Sequence, residues 1–346
     1  MVPEKTVIGL RNVRGEANES QYSQETDIHT SASADDRGFS VQTPLFFTVN
    51  NLSSILREAS FVGIIACGMT FVIITGGIDI SVGSTMALCA MVCSNLLRFT
   101  GAPLAAVLAV TALLGLALGF VNGLLVTKLN IPDFIVTLAT MNIYRGLTRA
   151  INATDVESLK NPMIKNASFK LLGGRIGLIY LVVIAFFVLV LVSHYLLRHT
   201  RLGLYTYAVG SNAQAARLTG ISFAGIKIFA FAFTGLACGI AGIMTAARMM
   251  TATTEIGVGM EFNVIAAIVI GGCSLQGGRG DMTGTLIGTL LMAVINSGIV
   301  QIGISTYYQP VIKGGIILAA VLFDIFYANY SKRQPGSKAK RGKTAD

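Results

Sequence analysis

Long apolar segments follow one another along most of this chain. Most are about 20 residues long, which is the length an α-helix needs to cross the hydrocarbon core of a bilayer. We place nine of them at 55–75, 82–98, 102–127, 131–150, 176–197, 224–247, 262–273, 282–302 and 308–328. Because lipid tolerates no unpaired backbone and the segments are too long for barrel strands, they predict an all-α polytopic membrane protein with about nine to ten transmembrane helices. The seventh segment is too short to cross, so we expect it to be re-entrant or to continue helically into its flanks.

The composition agrees with a membrane protein. Only 12% of the residues are charged, against about 25% in soluble domains. The mean hydropathy is +0.68, and the 38 glycines are typical of membrane helices that pack closely. A soluble globular class is therefore excluded.

The two ends of the chain differ from its middle. Residues 1–43 are polar and of mixed charge, so we predict a disordered tail that lacks the apolar core of a signal peptide. Residues 44–330 form the predicted transmembrane domain. Residues 331–346 form a basic tail, and loop 198–223 is also basic, so the positive-inside rule places both in the cytoplasm. Counting the segments back from there puts the N-terminal tail outside, which is unusual for a polar tail without a signal.

No catalytic constellation stands out. The chain has no GxxxxGK[ST], HExxH, GxSxG or paired CxxC motif. Its five cysteines lie in apolar or glycine-rich surroundings and its three histidines are scattered, so we expect small buried thiols and no metal site. These features favour a transport path over an enzyme, with no cofactor bound by this chain.

The stretch GMTFVIITGGIDISVGSTMAL, residues 68–88, places Asp79 between two apolar runs. Gly76 and Gly77 are expected to end one helix, and Asp79 or Ser81 can cap the next. The alternative is that Asp79 contacts a passing solute or steadies a gate, because a carboxylate accepts hydrogen bonds from hydroxyl groups. The other candidates for a path or gate are polar residues in or beside apolar segments: Ser81, Asn122, Asn142, Asn296 and Gln309. Hydrogen bonding between helices is the plainer interpretation of each.

Two cytoplasmic segments could meet an external partner. The spacing of Ala213, Ala216 and Arg217 predicts a short amphipathic helix that Gly220 ends, and it is either a docking site or a plain surface helix. The proposed docking residues are Asn212, Ala213, Gln214, Ala215, Ala216, Arg217, Leu218 and Gly220. In GGCSLQGGRGD, residues 271–281, five glycines predict a tight turn. Its final residues, Gly277, Gly278, Arg279, Gly280 and Asp281, form a plain hairpin turn, a local ion pair or a gate.

Seven motifs in order resemble the permease subunits of ribose-type ABC sugar importers, which include ribose, arabinose, xylose, galactose and autoinducer-2 permeases. The resemblance runs from residue 44 to Asp324. It is carried by residues 68–84, GFVNGLLV at 119–126, IPDFIVTLATM at 131–141 with Arg145 and Gly146, YAVGSNAQAARLTGI at 207–221, EFNVIAAIVIGG at 261–272, SLQGGRGD at 274–281 and YYQPVIKGGIIL at 307–318.

The resemblance implies a permease that moves a monosaccharide across the bacterial inner membrane by alternating access. It implies an ABC ATPase subunit that binds ATP and magnesium, a periplasmic or extracellular sugar-binding protein, a second permease copy or paralogue, contact with membrane lipid and no nucleic acid. Gln214 to Gly220 resembles the loop on which such ATPases dock. Two alternatives stay open: an ion-coupled secondary sugar transporter, which would want carboxylates in its bundle, and a structural or sensory membrane protein.

The chain departs from that family at several points. Residues 1–43 hold no apolar helix, whereas family members usually have one before this region. Gln214 replaces a usual glutamate, Asn263 stands where aspartate is common, and Cys273 stands where threonine is common. Asp133 adds a charge at a helix start, where the helix dipole favours it. These changes leave the identity of the sugar open.

Overall fold

The structure is a computed structural model that describes residues 48–154, 163–305 and 307–316, together with residues 318, 319 and 322. The predicted N-terminal tail 1–43 and basic tail 331–346 lie outside the described residues, so their predictions stay predictions.

Helices make up most of the described chain. In chain order the elements are α1 (Val49–Ile74), α2 (Val82–Phe99), α3 (Leu104–Lys128), α4 (Asp133–Thr154), α5 (Ala167–Leu172), β1 (Arg175–Ile176), β2 (Ile179–Tyr180), α6 (Leu181–His199), α7 (Arg201–Ser211), α8 (Ala213–Leu218), α9 (Phe223–Met249), α10 (Met260–Ile270) and α11 (Met282–Gln301). Residues 309–316 are also helical. The strands β1 and β2 pair antiparallel in a short hairpin.

Six helices are long and apolar enough to cross a membrane within the described residues: α1, α2, α3, α6, α9 and α11. The helix α4 is long enough but carries too many polar groups, including Asp133, Asn142 and Arg145. The predicted class of all-α polytopic membrane protein is therefore confirmed, while the predicted count of nine to ten is not.

The short seventh segment forms the 11-residue helix α10. Non-helical residues 251–259 precede it and residues 271–281 follow it, so the expectation that it continues helically into its flanks is wrong. Glycines on both sides explain the result, because Gly257, Gly259 and Gly272 have φ values of 74°, 74° and 88°, which end regular helix geometry.

Helix α9 packs against α1, α2 and α3 at the centre of the described bundle. Its contact with α3 depends on glycines spaced four residues apart on both helices. A Cβ atom on Gly115 would lie 2.9 Å from the Gly239 Cα, and one on Gly119 would lie 3.0 Å from the Gly235 Cα. The two backbones therefore approach as closely as in small-residue membrane interfaces.

Candidate functional site

The non-helical chain between α1 and α2 is held by hydrogen bonds of a buried aspartate. Helix α1 ends at Ile74, and Gly76 takes a φ of 74°. Asp79 is only 2% exposed. Its Oδ1 accepts hydrogen bonds from the Ser81 amide at 2.9 Å and from the Ser81 hydroxyl at 2.6 Å. Ser81 is the N-cap residue of α2, and its side chain makes no cap bond to that helix, so Asp79 fixes the turn and does not cap α2 directly.

A chain of buried side chains extends from this turn to α3 and α4. The Asn122 amide donates to the Ser81 hydroxyl at 2.9 Å. The Tyr144 hydroxyl lies 3.3 Å from Asn122 Oδ1 and 3.2 Å from the Leu118 carbonyl, and both can accept its proton. In this conformation the polar atoms of the network are used between helices, which fits the structural interpretation of Asp79, Ser81 and Asn122. Sequence reasoning missed Tyr144, since a tyrosine in an apolar run carries no sign of its partner.

The other path candidates lie elsewhere. Asn142 is exposed and donates to the carbonyl of Leu138 in its own helix, at 2.9 Å. Asn296 lines a cavity that also contains Glu58 and Lys313. Gln309 is half-buried. The predicted set of path residues is therefore not one cluster in the structure.

A buried ion pair joins the starts of α4 and α9. Lys227 Nζ lies 2.6 Å from Asp133 Oδ2 and 2.8 Å from Oδ1, with the two side chains 8% and 13% exposed. A Cβ atom on Gly77 would contact Asp133 Oδ2, so the break packs directly on this pair. Sequence reasoning expected the helix dipole to stabilise Asp133 and missed Lys227, which no pattern ties to a residue 94 positions away.

The predicted docking helix is α8. The Asn212 side chain caps it by accepting from the amides of Gln214 at 3.1 Å and Ala215 at 3.0 Å. At the other end the amide of Gly220 bonds to the Arg217 carbonyl and that of Ile221 bonds to the Ala216 carbonyl. With Gly220 at φ 82°, this is a Schellman motif, so the predicted stop at Gly220 is confirmed.

One detail of the expected docking face differs. Ala216 is buried against Val209 and Ile226, because its small side chain fits where α8 folds back on α7 and α9. The residues that α8 presents outward are Gln214, Ala215, Arg217 and Leu218, the last of them 86% exposed. These four residues of α8 are accessible, whereas Ala216 is covered by the bundle.

The glycine-rich turn ends in a helix cap. Asp281 accepts from the Gly284 amide and from the Thr283 hydroxyl, and so caps α11. Chiefly because of the bond from the Gly284 amide, the pKa of Asp281 is lowered. Within the described residues no salt bridge joins Arg279 to Asp281, so the local ion pair considered from the sequence is wrong, and the carboxylate serves α11 instead.

Helix α7, the glycine turn and the break after α1 meet backbone to backbone. The Gly278 amide donates to the Ile74 carbonyl at 2.8 Å, and a Cβ atom on Gly210 would collide with that same oxygen. A Cβ atom on Gly277 would lie 2.8 Å from the Gly76 amide nitrogen and 3.0 Å from the Gly210 carbonyl oxygen. We name this contact of Ile74, Gly76, Gly210, Gly277 and Gly278 the glycine junction.

A side-chain bond ties the same helix to the turn. The Tyr207 hydroxyl donates to the Gly280 carbonyl at 2.6 Å, and burial raises the pKa of Tyr207. Helix α7 leads directly into α8, with Asn212 between them. A displacement of the docking helix would therefore reach the end of α1 through short, stiff contacts.

Among the described residues, no group of three or more His, Cys, Asp or Glu side chains is arranged to hold a metal ion. Cys67, Cys89, Cys93, Cys238 and Cys273 are all buried free thiols.

Comparison with known proteins places the chain in a family. Residues 51–321 match the family described as branched-chain amino acid transport system / permease component. The ribose import permease protein of Escherichia coli (strain K12) is 42% identical over 291 residues, which cover 82% of this chain and 88% of that protein. No solved structure matches.

Two further relatives carry other sugars in their names. The L-arabinose ABC transporter permease protein of Azospirillum brasilense is 37% identical over 84% of both chains. The D-allose transport system permease protein of Escherichia coli (strain K12) is 34% identical over 82% of this chain and 86% of that protein. Together with the six apolar helices, these matches indicate a multi-pass inner-membrane protein, and the chain belongs to this ABC permease family, in the group that includes the ribose, L-arabinose and D-allose permeases.

Proposed function

We propose that the chain is the membrane-spanning subunit of an ATP-driven importer for a monosaccharide. The names of its relatives support this substrate class, because ribose, L-arabinose and D-allose are all small neutral sugars. ATP is hydrolysed by a separate ABC ATPase subunit, a binding protein delivers the sugar, and two permease subunits form the transporter. The docking helices and the C-terminus face the cytoplasm.

The glycine junction is the observation that carries the mechanism. The outward residues of α8 receive the ATPase, and α7 transmits its movement to the Ile74 carbonyl and the break beyond it. The break also holds Asp79, whose bonds through Ser81 and Asn122 join α2 to α3. Closing of the ATPase subunits therefore shifts α1, α2 and α3 together, which is the rocking motion that alternating access requires.

The test is reconstitution. The chain is purified with the ATPase and binding protein encoded near it, placed in liposomes, and assayed for ATPase activity and uptake of D-ribose, L-arabinose and D-allose. We expect uptake that needs ATP and the binding protein, and ATPase activity that one loaded binding protein stimulates. A complex that hydrolyses ATP but transports none of a broad panel of pentoses and hexoses would refute the substrate class.

An ion-coupled sugar transporter is the second candidate, and one observation favours it. Asp79 and Glu261 are buried carboxylates, 2% and 8% exposed, and such groups carry coupling ions in secondary transporters. Uptake that an uncoupler abolishes while ATP is held constant would select this candidate. Uptake that survives the uncoupler and stops when ATP is withdrawn would select the ABC importer.

A further inference from the structure

An irregular segment lies between α9 and α10. Residues 251–259 are non-helical. Met250, directly before them, has a φ of 52° and ends α9. Arg145 Nη1 donates to the Thr254 carbonyl at 2.8 Å and to the Ile256 carbonyl at 2.7 Å, so α4 satisfies backbone that no helix supports. Irregular backbone among membrane helices is tolerated where protein covers it or where it lines a cavity.

Two adjoining cavities lie against this segment and the start of α10. Their volumes are about 250 and 280 Å³, and both are lined by Glu58, Phe61 and Met260. Small-molecule sites typically measure roughly 300–1,000 Å³. Each cavity is just below that range, which suits a small solute, and the two lie on either side of the same three side chains. Helix α1 rises about 1.5 Å per residue, which puts Glu58 about 24 Å along it from Ile74 and the glycine junction.

Each cavity is lined by a residue whose side-chain oxygen is buried and has no hydrogen-bond partner among the described residues. Asn296, with its Oδ1, lines the smaller cavity, and Thr245, with its Oγ1, lines the larger one. A buried polar atom without a hydrogen bond costs about 1–3 kcal/mol, so its presence calls for an explanation. When either side chain turns toward its cavity, a ligand hydroxyl can become its partner, because a hydroxyl can donate to the amide oxygen and can either donate to or accept from the threonine hydroxyl.

The charges around the cavities point to a neutral ligand. Glu58 forms an ion pair with Arg248, which lines the larger cavity, at 2.8 Å. Lys313 lines the smaller cavity together with Glu58. Acidic and basic groups thus stand together, with Glu255 as the further acid of the larger cavity. An anion or a cation would meet a like charge in this setting, whereas hydroxyl groups can bond to both kinds.

We propose that these two cavities form one binding station for a neutral polyhydroxyl molecule, with Asn296, Thr245 and Glu58 bonding its hydroxyls and the Phe61 ring lying against its carbon face. The station rests on the proposed function. It would hold the sugar on the side of the membrane away from the ATPase. Binding there is weak, since a transit site must release its solute.

Protection of a cysteine is the direct test, using the complex with its ATPase in liposomes. Asn296→Cys is labelled with a membrane-impermeant thiol reagent, with and without about 50 mM D-ribose, L-arabinose or D-allose. For a dissociation constant of about 10 mM, labelling slows about sixfold. The unsubstituted chain is the blank because its cysteines are buried, glycine at equal osmolality controls for solute effects, and Asn263→Cys gives a second probe of the same cavity.

Gln301→Cys is the matched control variant. Gln301 lies on the same helix, α11, and its Oε1 is also buried without a partner among the described residues, but it lines neither cavity. We expect one of the sugars to slow labelling at Asn296→Cys and Asn263→Cys while Gln301→Cys is unaffected. In uptake assays Thr245→Val is expected to slow transport, whereas Thr234→Val, a buried threonine of the same helix away from the cavities, is not.

The outcomes separate the station from the proposed function. If the transporter imports a sugar with ATP but that sugar protects neither cysteine, the station is refuted and the function stands. If protection extends to Gln301→Cys, the sugar acts on the whole protein and the station is also refuted. Protection at both cavity cysteines in a complex without ATP-driven uptake supports the station and refutes the importer.

Discussion

Gly210 is the position where one added methyl group should uncouple ATP hydrolysis from transport. In Gly210→Ala the new Cβ atom collides with the Ile74 carbonyl oxygen and lies 2.6 Å from the Gly278 amide nitrogen. All of these are backbone atoms, so no side chain can move aside. The methyl group must therefore separate α7 from the end of α1.

The magnitude follows from two opposing effects. Alanine is better than glycine within a helix by about 0.5–1 kcal/mol, and Gly210 lies within α7. Overpacking costs about 1–3 kcal/mol, and loss of the bond from the Gly278 amide to the Ile74 carbonyl costs about 0.5–1.5 kcal/mol more. The clash outweighs the helix preference, and the contact weakens by about 0.5–4 kcal/mol. The middle of this range is about 2 kcal/mol, which is about thirtyfold in the equilibrium of the contact.

The assay compares the sugar imported with the ATP hydrolysed in proteoliposomes. We expect Gly210→Ala to assemble with the ATPase and to hydrolyse ATP, while the sugar moved per ATP falls by about thirtyfold, in line with the weakened contact. Gly146→Ala is the control, because no heavy atom lies within 4 Å of the added carbon, and it should transport normally. Normal coupling in Gly210→Ala would refute the role of the glycine junction.

Three further perturbations follow from the same geometry. Lys227→Met leaves the carboxylate of Asp133 buried and unpaired, which costs about 3–5 kcal/mol of stability and should lower the melting temperature in detergent. Adding Asp133→Leu should recover most of that loss. A double variant no more stable than Lys227→Met alone would contradict this. Asn212→Ala removes the cap of α8, which costs about 0.5–2 kcal/mol in the stability of that helix. We expect weaker co-purification with the ATPase and a nearly unchanged melting temperature. Unaltered co-purification would argue against docking at α8. Because the pKa of Asp281 is lowered in the folded protein, its carboxylate stabilises the fold fully at pH values above the ordinary pKa of 3.8, and this stabilisation is lost as the pH falls below 3.8. Below pH 3.8 the melting temperature of Asp281→Asn should therefore fall less than that of the unaltered chain. Parallel pH profiles of the two melting temperatures would contradict this.

The elements that the sequence predicts well are those with a local cause. The apolar segments become helices with ends close to the predicted ones, as in α2 and α11, because length and hydropathy act within a segment. The end of α8 at Gly220 is local too, since it needs one residue with a positive φ. The loss of helix on both sides of α10 depends on glycines that the sequence shows plainly.

Pairings between distant residues could not be predicted in this way. Lys227 with Asp133, and Tyr144 with Asn122, join residues whose spacing in the chain carries no period. The glycine junction is less visible still, because its members act through the side chains they lack. Glycine count predicted close packing in general, but only the fold shows that Gly210 and Gly277 meet the end of α1.

Helix α1 connects the two regions that we assign to function. Its last carbonyl, that of Ile74, belongs to the glycine junction, and Glu58 and Phe61 near its other end line both cavities. The helix is unbroken from Val49 to Ile74, and a continuous helix carries a displacement along its axis without absorbing it. A push from the ATPase at Ile74 would therefore move the wall that the two cavities share, so that the solute loses its contacts with Glu58 and Phe61 when the nucleotide-binding subunits close. On the proposed function, this one continuous helix would link ATP hydrolysis to release of the sugar without a relay of side chains across the membrane.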